Sequence, residues 1–319
     1  QKVLDDYLWL TQLQQARCYE TALTQWRRLK STDYMESGAN TMGVLYWQLN
    51  DIWQGPSWAS VEYGGKWKVT QYAVKNAYAP LLVSAIEVRK SAAATVGAGT
   101  VGPAEATRSP SAATTATAAA VDSAKTGEVE VYVTSDINAD ISGTVTVSAA
   151  RFDAAADDAP VVVASTDYAM DALGAGQVLT TSVDDVLAAV GASERSEAFV
   201  LVVATSGEGD DAQTSVTYLY LDDFSNVALQ PAAIETTVES ESSRASKTMA
   251  TITLTSNATA AFVYLETDHA ILPGHFSNNA FHLLPGDKNL ASVEFIGDSE
   301  FTTEELEAVL TVRSLRDTY

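Results

Sequence analysis

The tryptophans of this 319-residue chain are confined to its first quarter, and that distribution limits what the chain can fold into. All six precede position 70: Trp9, Trp26, Trp47, Trp53, Trp58 and Trp67. The remainder is rich in Ala, Thr, Val, Ser and Asp. Indoles supply large apolar surfaces, whereas short alternating segments of β-branched residues are typical of sheets. The sequence therefore predicts two different architectures, in two or three domains of roughly 100–200 residues each.

The Trp-rich zone alternates between helical and strand-like patterns. Residues 1–30 have apolar side chains near helical spacing and end in cations that suit a helix C-terminus. The nearly continuous apolar run 42–49 is typical of a strand buried on both faces of a parallel sheet. A loop over 50–65 and a helix over 66–78 complete a pattern that indicates a βα barrel or a doubly wound sheet. The uncapped start of the first helix predicts a fragment of a larger protein.

Short alternating segments dominate after residue 80. A strand is predicted over 81–88, and the low-complexity stretch at about 91–126 is predicted to be a flexible insertion or linker. Period-two patterning then predicts an antiparallel β-sandwich with strands over 128–133, 143–147, 161–163, 198–203 and 215–221. A second sandwich is predicted from strands over 234–239, 249–255, 261–266, 292–296 and 308–313.

Charge and cysteine content exclude several classes of function. Lys and Arg total 19 against 41 Asp and Glu, for a formal net charge of −22. Such an acidic surface repels nucleic acid and anionic membranes. The single cysteine, Cys18, excludes an intrachain disulfide and a multi-cysteine zinc site, and we predict that it is a small buried residue of the first helix. The sequence has neither a membrane-spanning apolar run nor a signal peptide at residue 1.

A dense aromatic and polar cluster occurs where the predicted buried strand ends. Tyr-Trp-Gln-Leu-Asn-Asp at 46–51 is followed by Trp53, Ser57 and Trp58. Barrel enzymes keep their active sites at this end of their strands. Indole faces cover the apolar face of a sugar ring while amides and carboxylates bind its hydroxyls, so the cluster suits sugar recognition. The alternative is a barrel-bottom core with capping polar groups, and the residues alone leave both open.

Other candidate residues carry weaker signals. Glu62 is a possible glycosidase nucleophile, but the second carboxyl group that retention requires has no evident source in this chain. The calcium-loop-like triplet Asp136, Asn138 and Asp140 lacks the Gly and Glu that such a loop needs, which favours a solvated hairpin turn. We expect surface or loop positions, and no zinc site, for the three histidines His269, His275 and His282. Asn257 begins an Asn-Ala-Thr sequon, which favours N-glycosylation and secretion.

Several motifs together resemble the β-mannosidases of glycoside hydrolase family two. The first block comprises YWQLND at 46–51, PSWAS at 56–60, EYGGKWK at 62–68 and YAPLL at 78–82. Upstream, Tyr7-Leu8, Gln12, Gln14-Gln15-Ala16 and Arg27-Arg28 resemble the helix before the last barrel strand. HFSNNAF at 275–281 and LPGD at 284–287 are similar to the signature of the family's C-terminal immunoglobulin-like domain.

The resemblance implies the closing part of a (β/α)8 TIM barrel followed by two immunoglobulin-like β-sandwiches. The three domains would be 1–84, 85–232 with the insertion, and 233–319. The complete enzyme would hydrolyse terminal non-reducing β-D-mannose residues with retention and without a metal or organic cofactor. Its two catalytic glutamates would lie in the N-terminal part, upstream of this chain, so Glu62 would be a loop residue and the isolated chain inactive.

The resemblance also implies where a mannoside would bind. Trp47 would line the sugar pocket, Asn50 and Asp51 would lie at the barrel mouth, and Trp53 and Trp58 would lie at or near its rim. The implied protein is secreted. The competing interpretation is a non-catalytic β-sandwich carbohydrate-binding or adhesion module, which explains the residues beyond 85 and leaves the Trp-rich zone without a role.

Overall fold

The computed structural model describes residues 2–31, 40–89, 127–155, 158–209, 212–244, 247–285 and 292–319. The insertion predicted at about 91–126 lies outside the described residues. None of the helices in the described ranges combines the length and apolarity needed to cross a membrane.

A long helix and a short helix form the Trp-rich zone. Helix α1 (Lys2–Arg28) and helix α2 (Val69–Ala77) confirm the helices predicted over 1–30 and 66–78. One face of α1 buries side chains at helical spacing, namely Trp9, Leu13, Ala16 and Leu23. The prediction that Cys18 is buried is wrong, because this residue lies on the exposed side of α1.

The strand predicted over 42–49 does not form in the described structure. Met42 and Leu45 are 89% and 94% exposed, whereas Val44 and Tyr46 on the other side are partly buried against Leu23 of α1 and against α2, so the run is covered on one side only. A parallel strand depends on hydrogen-bonded neighbours, and the segment has only a single parallel bridge, Asn50↔Val61, just after its end. The apolar run is therefore an extended segment without the sheet that its sequence favours.

The first β-sandwich is built from seven antiparallel strands in two sheets. One sheet has the order β1-β2-β5, from β1 (Leu81–Val88), β2 (Glu128–Ser135) and β5 (Ala175–Ser182). The other has the order β4-β3-β6-β7, from β3 (Ile141–Arg151), β4 (Val161–Met170), β6 (Ala198–Ser206) and β7 (Gln213–Tyr220). Alternating valines of both sheets, among them Val131, Val147 and Val202, meet in one core. A short helix α3 (Val183–Ala189), capped by Ser182, packs against this core.

The second β-sandwich has the same two-layer plan. One sheet is β11-β13-β9-β8 and the other is β12-β10-β14. The strands are β8 (Ile234–Arg244), β9 (Lys247–Ser256), β10 (Ala260–Glu266), β11 (Gly274–Phe276), β12 (Phe281–Leu283), β13 (Ser292–Gly297) and β14 (Thr311–Arg313). The strand predicted over 308–313 is wrong in its first half, where helix α4 (Thr303–Val309) ends. A capping box between Thr302 and Glu305 starts this helix.

A further apolar core joins α1 to both sandwiches. It contains Trp9 and Leu13 of α1, Phe199 of β6, and Phe262 and Tyr264 of β10. This core is filled by large aromatic side chains, whereas the core of the first sandwich consists mainly of valine and alanine. The described parts of the chain thus pack around a common junction. The boundary predicted between residues 84 and 85 falls within β1, and the division into three domain ranges stays a prediction.

The turn-like segment at 136–140 does not form the predicted hairpin, because β2 and β3 belong to different sheets. Two of its carboxylates accept hydrogen bonds from other parts of the protein. Asp136 accepts hydrogen bonds from Arg27 at 3.0 Å and Lys30 at 2.9 Å. Asp140 accepts one from the Ala172 N–H at 2.9 Å. The segment therefore connects two sheets and ties the first sandwich to α1.

Candidate functional site

The predicted sugar-binding cluster lies on a loop whose two ends are held side by side. The Val61 N–H donates to the Leu49 carbonyl at 2.8 Å, and the Asp51 N–H donates to the Val61 carbonyl at 3.0 Å. The Lys68 N–H in turn donates to the Ser60 carbonyl at 3.0 Å. Three short backbone segments are thereby linked, and residues 52–58 project from them as a loop.

Three indoles lie on the surface of this region. Trp47 and Trp53 are each 70% exposed and Trp58 is 61% exposed. Tryptophan is highly buried on average in folded proteins, so three exposed indoles within twelve positions of the chain suit contacts with a ligand or another protein surface. These side chains do not belong to a core formed by the described residues, and the choice between a sugar site and a barrel-bottom core stays open at this point.

Asp51 is enclosed by two donors at the start of the loop. Its Oδ1 accepts a short hydrogen bond from the Ser57 hydroxyl, and its Oδ2 lies 3.2 Å from Lys68 Nζ. Only 7% of the Asp51 side chain and 9% of the Lys68 side chain are exposed. The Ser57 hydroxyl, assisted by the Lys68 ammonium, lowers the pKa of Asp51. Asp51 is thus a charged, hydrogen-bonded carboxylate and is unsuited to act as a proton donor at neutral pH.

A groove of about 720 Å³ runs between this loop and α1. Among the predicted site residues it brings together Asp51 and Trp58, whereas Trp47, Asn50 and Trp53 are not part of its lining. Glu62 also lines the groove and lies in a turn closed by the Gly65 N–H donating to its carbonyl at 2.9 Å. The volume suits a ligand of one or a few sugar rings.

Four further residues shape the site; Ser57 belongs to the cluster noted in the sequence, and the site roles of the other three were not predicted. Gln15 of α1 donates to the Trp58 carbonyl at 2.9 Å, and the Tyr19 hydroxyl donates to the Trp47 carbonyl. Lys68 and Ser57 hold Asp51. The position of Lys68, directly before the apolar start of a helix, could have indicated burial, and a buried lysine needs a carboxylate partner. The two contacts of α1 span more than 25 positions, and a single sequence does not reveal them.

The histidines do not converge on a metal. Within the residues that the structure describes, no group of three or more His, Cys, Asp or Glu side chains could hold an ion. His275 stacks on Trp67 with ring centroids 4.3 Å apart, and His269 bonds the Gly64 carbonyl at 3.3 Å. The expectation of surface or loop histidines is wrong for His282, which is 1% exposed in the junction core.

Comparisons with known proteins agree with this architecture. A family model for the Ig-fold domain of mannosidases matches residues 229–318. The β-mannosidase of Bos taurus is 53% identical over 77 residues, which is 24% of this chain and 9% of the bovine protein. β-Mannosidase A of Aspergillus fumigatus is 27% identical over 320 aligned positions, covering 96% of this chain and 28% of the fungal protein. The chain therefore spans less than a third of the length of these relatives.

Two solved structures share the fold. The β-D-mannosidase of Dictyoglomus thermophilum matches with a TM-score of 0.62 at 16% identity, over 97% of this chain and 30% of that one. The exo-chitosanase of Amycolatopsis orientalis matches with a TM-score of 0.56 at 17% identity, over 95% of this chain and 33% of that one. At these identities the likeness concerns the fold alone, and the fold by itself does not choose between the two.

The fold and these matches define a class, that of proteins with an immunoglobulin-fold domain of the mannosidase type. Within it, the sequence matches single out the β-mannosidases, and the resemblance predicted from the sequence is confirmed.

Proposed function

We propose that this chain is the part of a β-mannosidase that follows the two catalytic glutamates and completes the sugar-binding side of its barrel. The complete enzyme removes terminal non-reducing β-D-mannose residues with retention of configuration. Two carboxyl groups suffice for that reaction, one as acid and base and the other as nucleophile, so no metal or organic cofactor takes part. The partner of this chain is the N-terminal part of the same enzyme, which carries both glutamates.

The observation that carries the proposal is the exposed aromatic loop beside the groove, within a chain that aligns with a β-mannosidase over 96% of its length. Trp47 supplies the indole face of the sugar pocket, and Asn50 and Asp51 shape the barrel mouth. Trp53 and Trp58 form the rim. Indole faces and polar loop groups are the combination that holds a pyranose ring.

The exposed run at 42–49 supports a place for these residues in a (β/α)8 barrel. Met42 and Leu45 present apolar side chains to solvent, and a barrel strand is covered by its neighbours and by the helices outside. We propose that α1, this run and α2 are the closing helix, strand and helix of the barrel. The alternative of a self-contained binding module is less well supported, because within the described residues no strand pairs along this apolar run, whose backbone hydrogen bonds to residues 60 and 61 involve only Gln48 and Leu49.

Secretion and glycosylation belong to the same proposal. Asn257 is exposed in the turn between β9 and β10, and its Oδ1 accepts the Ala233 N–H at 2.8 Å. An acceptor asparagine is modified on its amide nitrogen, which leaves that oxygen contact available. Enzymatic deglycosylation of the protein from a eukaryotic host should lower its mass, and an Asn257→Gln variant should show no such loss at this site.

Replacing Trp47 tests the pocket assignment. In the complete enzyme, Trp47→Ala should lower kcat/KM for an aryl β-D-mannoside by about tenfold or more, because the sugar loses its stacking surface. Trp26→Ala is the matched control, since Trp26 is also partly exposed but lies on α1 away from the loop. Equal kinetics for wild type and Trp47→Ala would contradict the assignment.

A further inference from the structure

The loop that carries Trp53 and Trp58 is fastened at its base by three polar side chains. Asp51 stands at its start, Ser57 near its end and Lys68 at the residue preceding α2. We call Asp51, Ser57 and Lys68 the loop clasp. Its members meet although they come from three separate backbone segments, and two of them bear charges in a place that solvent hardly reaches.

Each bond of the clasp joins two parts of the loop base, at one side of the groove that the three residues also line. The Ser57 hydroxyl donates to Asp51 and accepts the Ala59 N–H at 2.9 Å, so one side chain fixes both the start and the end of the loop. Lys68 Nζ lies 3.2 Å from Asp51 Oδ2 and 3.4 Å from the Ser57 carbonyl. The Lys68 ammonium group thus bridges the start of the loop at Asp51 and its end at Ser57.

The two indoles have little packing of their own. Both side chains are more than half exposed; the Trp53 ring lies against the backbone of Gly55, and Trp58 is held through its carbonyl, which accepts from Gln15. A flexible loop would spread two large indoles over many positions and would lose entropy on binding a sugar. Fixing the base of the loop reduces that loss before the ligand arrives.

We propose that Ser57 and Lys68, acting through Asp51, are positioning residues that hold Trp53 and Trp58 in place for the mannoside. This inference rests on the proposed function, since it assumes that these indoles contact the sugar. It gives Asp51 a structural task at the barrel mouth: both of its oxygens are engaged by the clasp. Substrate affinity, and not the chemical step, is the quantity that the clasp controls.

Ser57→Ala tests the clasp with the smallest change, because it removes the hydroxyl and leaves the Asp51–Lys68 pair intact. In the complete enzyme we expect KM for an aryl β-D-mannoside to rise about tenfold with kcat within about twofold of wild type. Ser57→Thr keeps the hydroxyl and should restore KM. The matched control is Ser225→Ala, at an exposed serine of the first sandwich, which should leave both constants unchanged.

A measurement that does not depend on activity separates this inference from the proposed function. Amide hydrogen exchange of the segment 52–59 in the same protein should be faster in Ser57→Ala and normal in Ser57→Thr. Faster exchange with unchanged KM would overturn the positioning role while leaving the clasp as a purely structural contact. Unchanged exchange together with unchanged KM would overturn the clasp itself. Lack of mannoside hydrolysis by the wild type would instead reject the proposed function.

Discussion

His282 is an uncharged histidine enclosed where the two sandwiches and α1 meet. Its Nδ1 accepts the Phe262 N–H at 3.2 Å, and its Nε2 lies 2.7 Å from the Tyr220 hydroxyl. Burial, with a smaller contribution from the Arg17 cation, lowers the pKa of His282 to about 3. Because Nδ1 acts as the acceptor, the neutral ring carries its proton on Nε2 and can donate it to Tyr220.

This histidine makes the free energy of unfolding depend on pH. The unfolded chain, with a histidine pKa of about 6.5, binds a proton that the folded chain excludes between about pH 6.5 and pH 3. The contribution of His282 is therefore complete above pH 6.5 and falls by up to about 1.4 kcal/mol per pH unit as the pH drops towards 3.

Denaturation in urea from pH 7 to pH 4 measures this effect. His282→Gln should have a smaller pH slope of unfolding free energy than the wild type over that range, and His269→Gln serves as the matched control. If His282→Gln keeps the slope of the wild type, the enclosed neutral histidine does not account for the pH dependence.

At the scale of single residues, the sequence indicated which side chains could bind a ligand better than it indicated which side chains are buried. The aromatic and polar cluster at 46–58 was recognised from its composition. The exposure of Trp53 and Trp58 agrees with the predicted loop, whereas Trp47 lies in the run that was predicted to be buried. The burial of His282 was missed because Tyr220 lies 62 positions earlier. Cys18 was misplaced because helical periodicity alone did not tell which face of α1 packs on the sandwiches.

At the scale of elements, α1 is held to the first sandwich through its last turn. Arg27 is 8% exposed and donates to the Ala77 and Ala79 carbonyls, each at 2.7 Å, as well as to Asp136. Lys30 contacts the same carboxylate but is more exposed. Lys30 also donates to one backbone carbonyl, that of Ser135 at 2.9 Å. We expect Arg27 to contribute more to stability than Lys30, because the arginine satisfies two carbonyls and is much less exposed.

Replacing each cation by methionine tests that difference. Arg27→Met should lower the free energy of unfolding by about 2–4 kcal/mol, because it leaves buried acceptors without a donor. Lys30→Met should cost about 1 kcal/mol or less, as is usual for a partly exposed pair. Chemical denaturation of the two variants gives both values, and equal losses would contradict the importance of the carbonyl contacts.

The elements themselves were predictable where the pattern was local. Most of the longer strands were predicted, because period-two patterning is a property of each strand alone. Strand β5 and the short strands β11 and β12 were not predicted. The apolar run 42–49 was predicted to be a buried strand but is extended and exposed on one side, since its pairing depends on neighbours rather than on its own sequence. Helix α4 was missed although its signal, Thr302 followed by Glu305, stands in the sequence.

For the molecule as a whole, the described parts consist of two immunoglobulin-like sandwiches and a helical zone joined by one aromatic core. The apolar loop and the run before it face away from that core and leave several large side chains exposed. Such a surface fits an interface with the remainder of a barrel. The whole molecule that we propose is therefore larger than this chain, and its substrate pocket is shared between the two parts.

The most direct measurement is a glycosidase assay on the complete enzyme and on the 319-residue chain alone, using aryl β-D-mannoside, β-D-glucoside and β-D-glucosaminide. We predict enzyme-like turnover of the mannoside by the complete enzyme, much slower turnover of the other two, and no turnover by the chain alone. Preference for the glucosaminide by the complete enzyme, or mannoside hydrolysis by the isolated chain, would contradict this prediction.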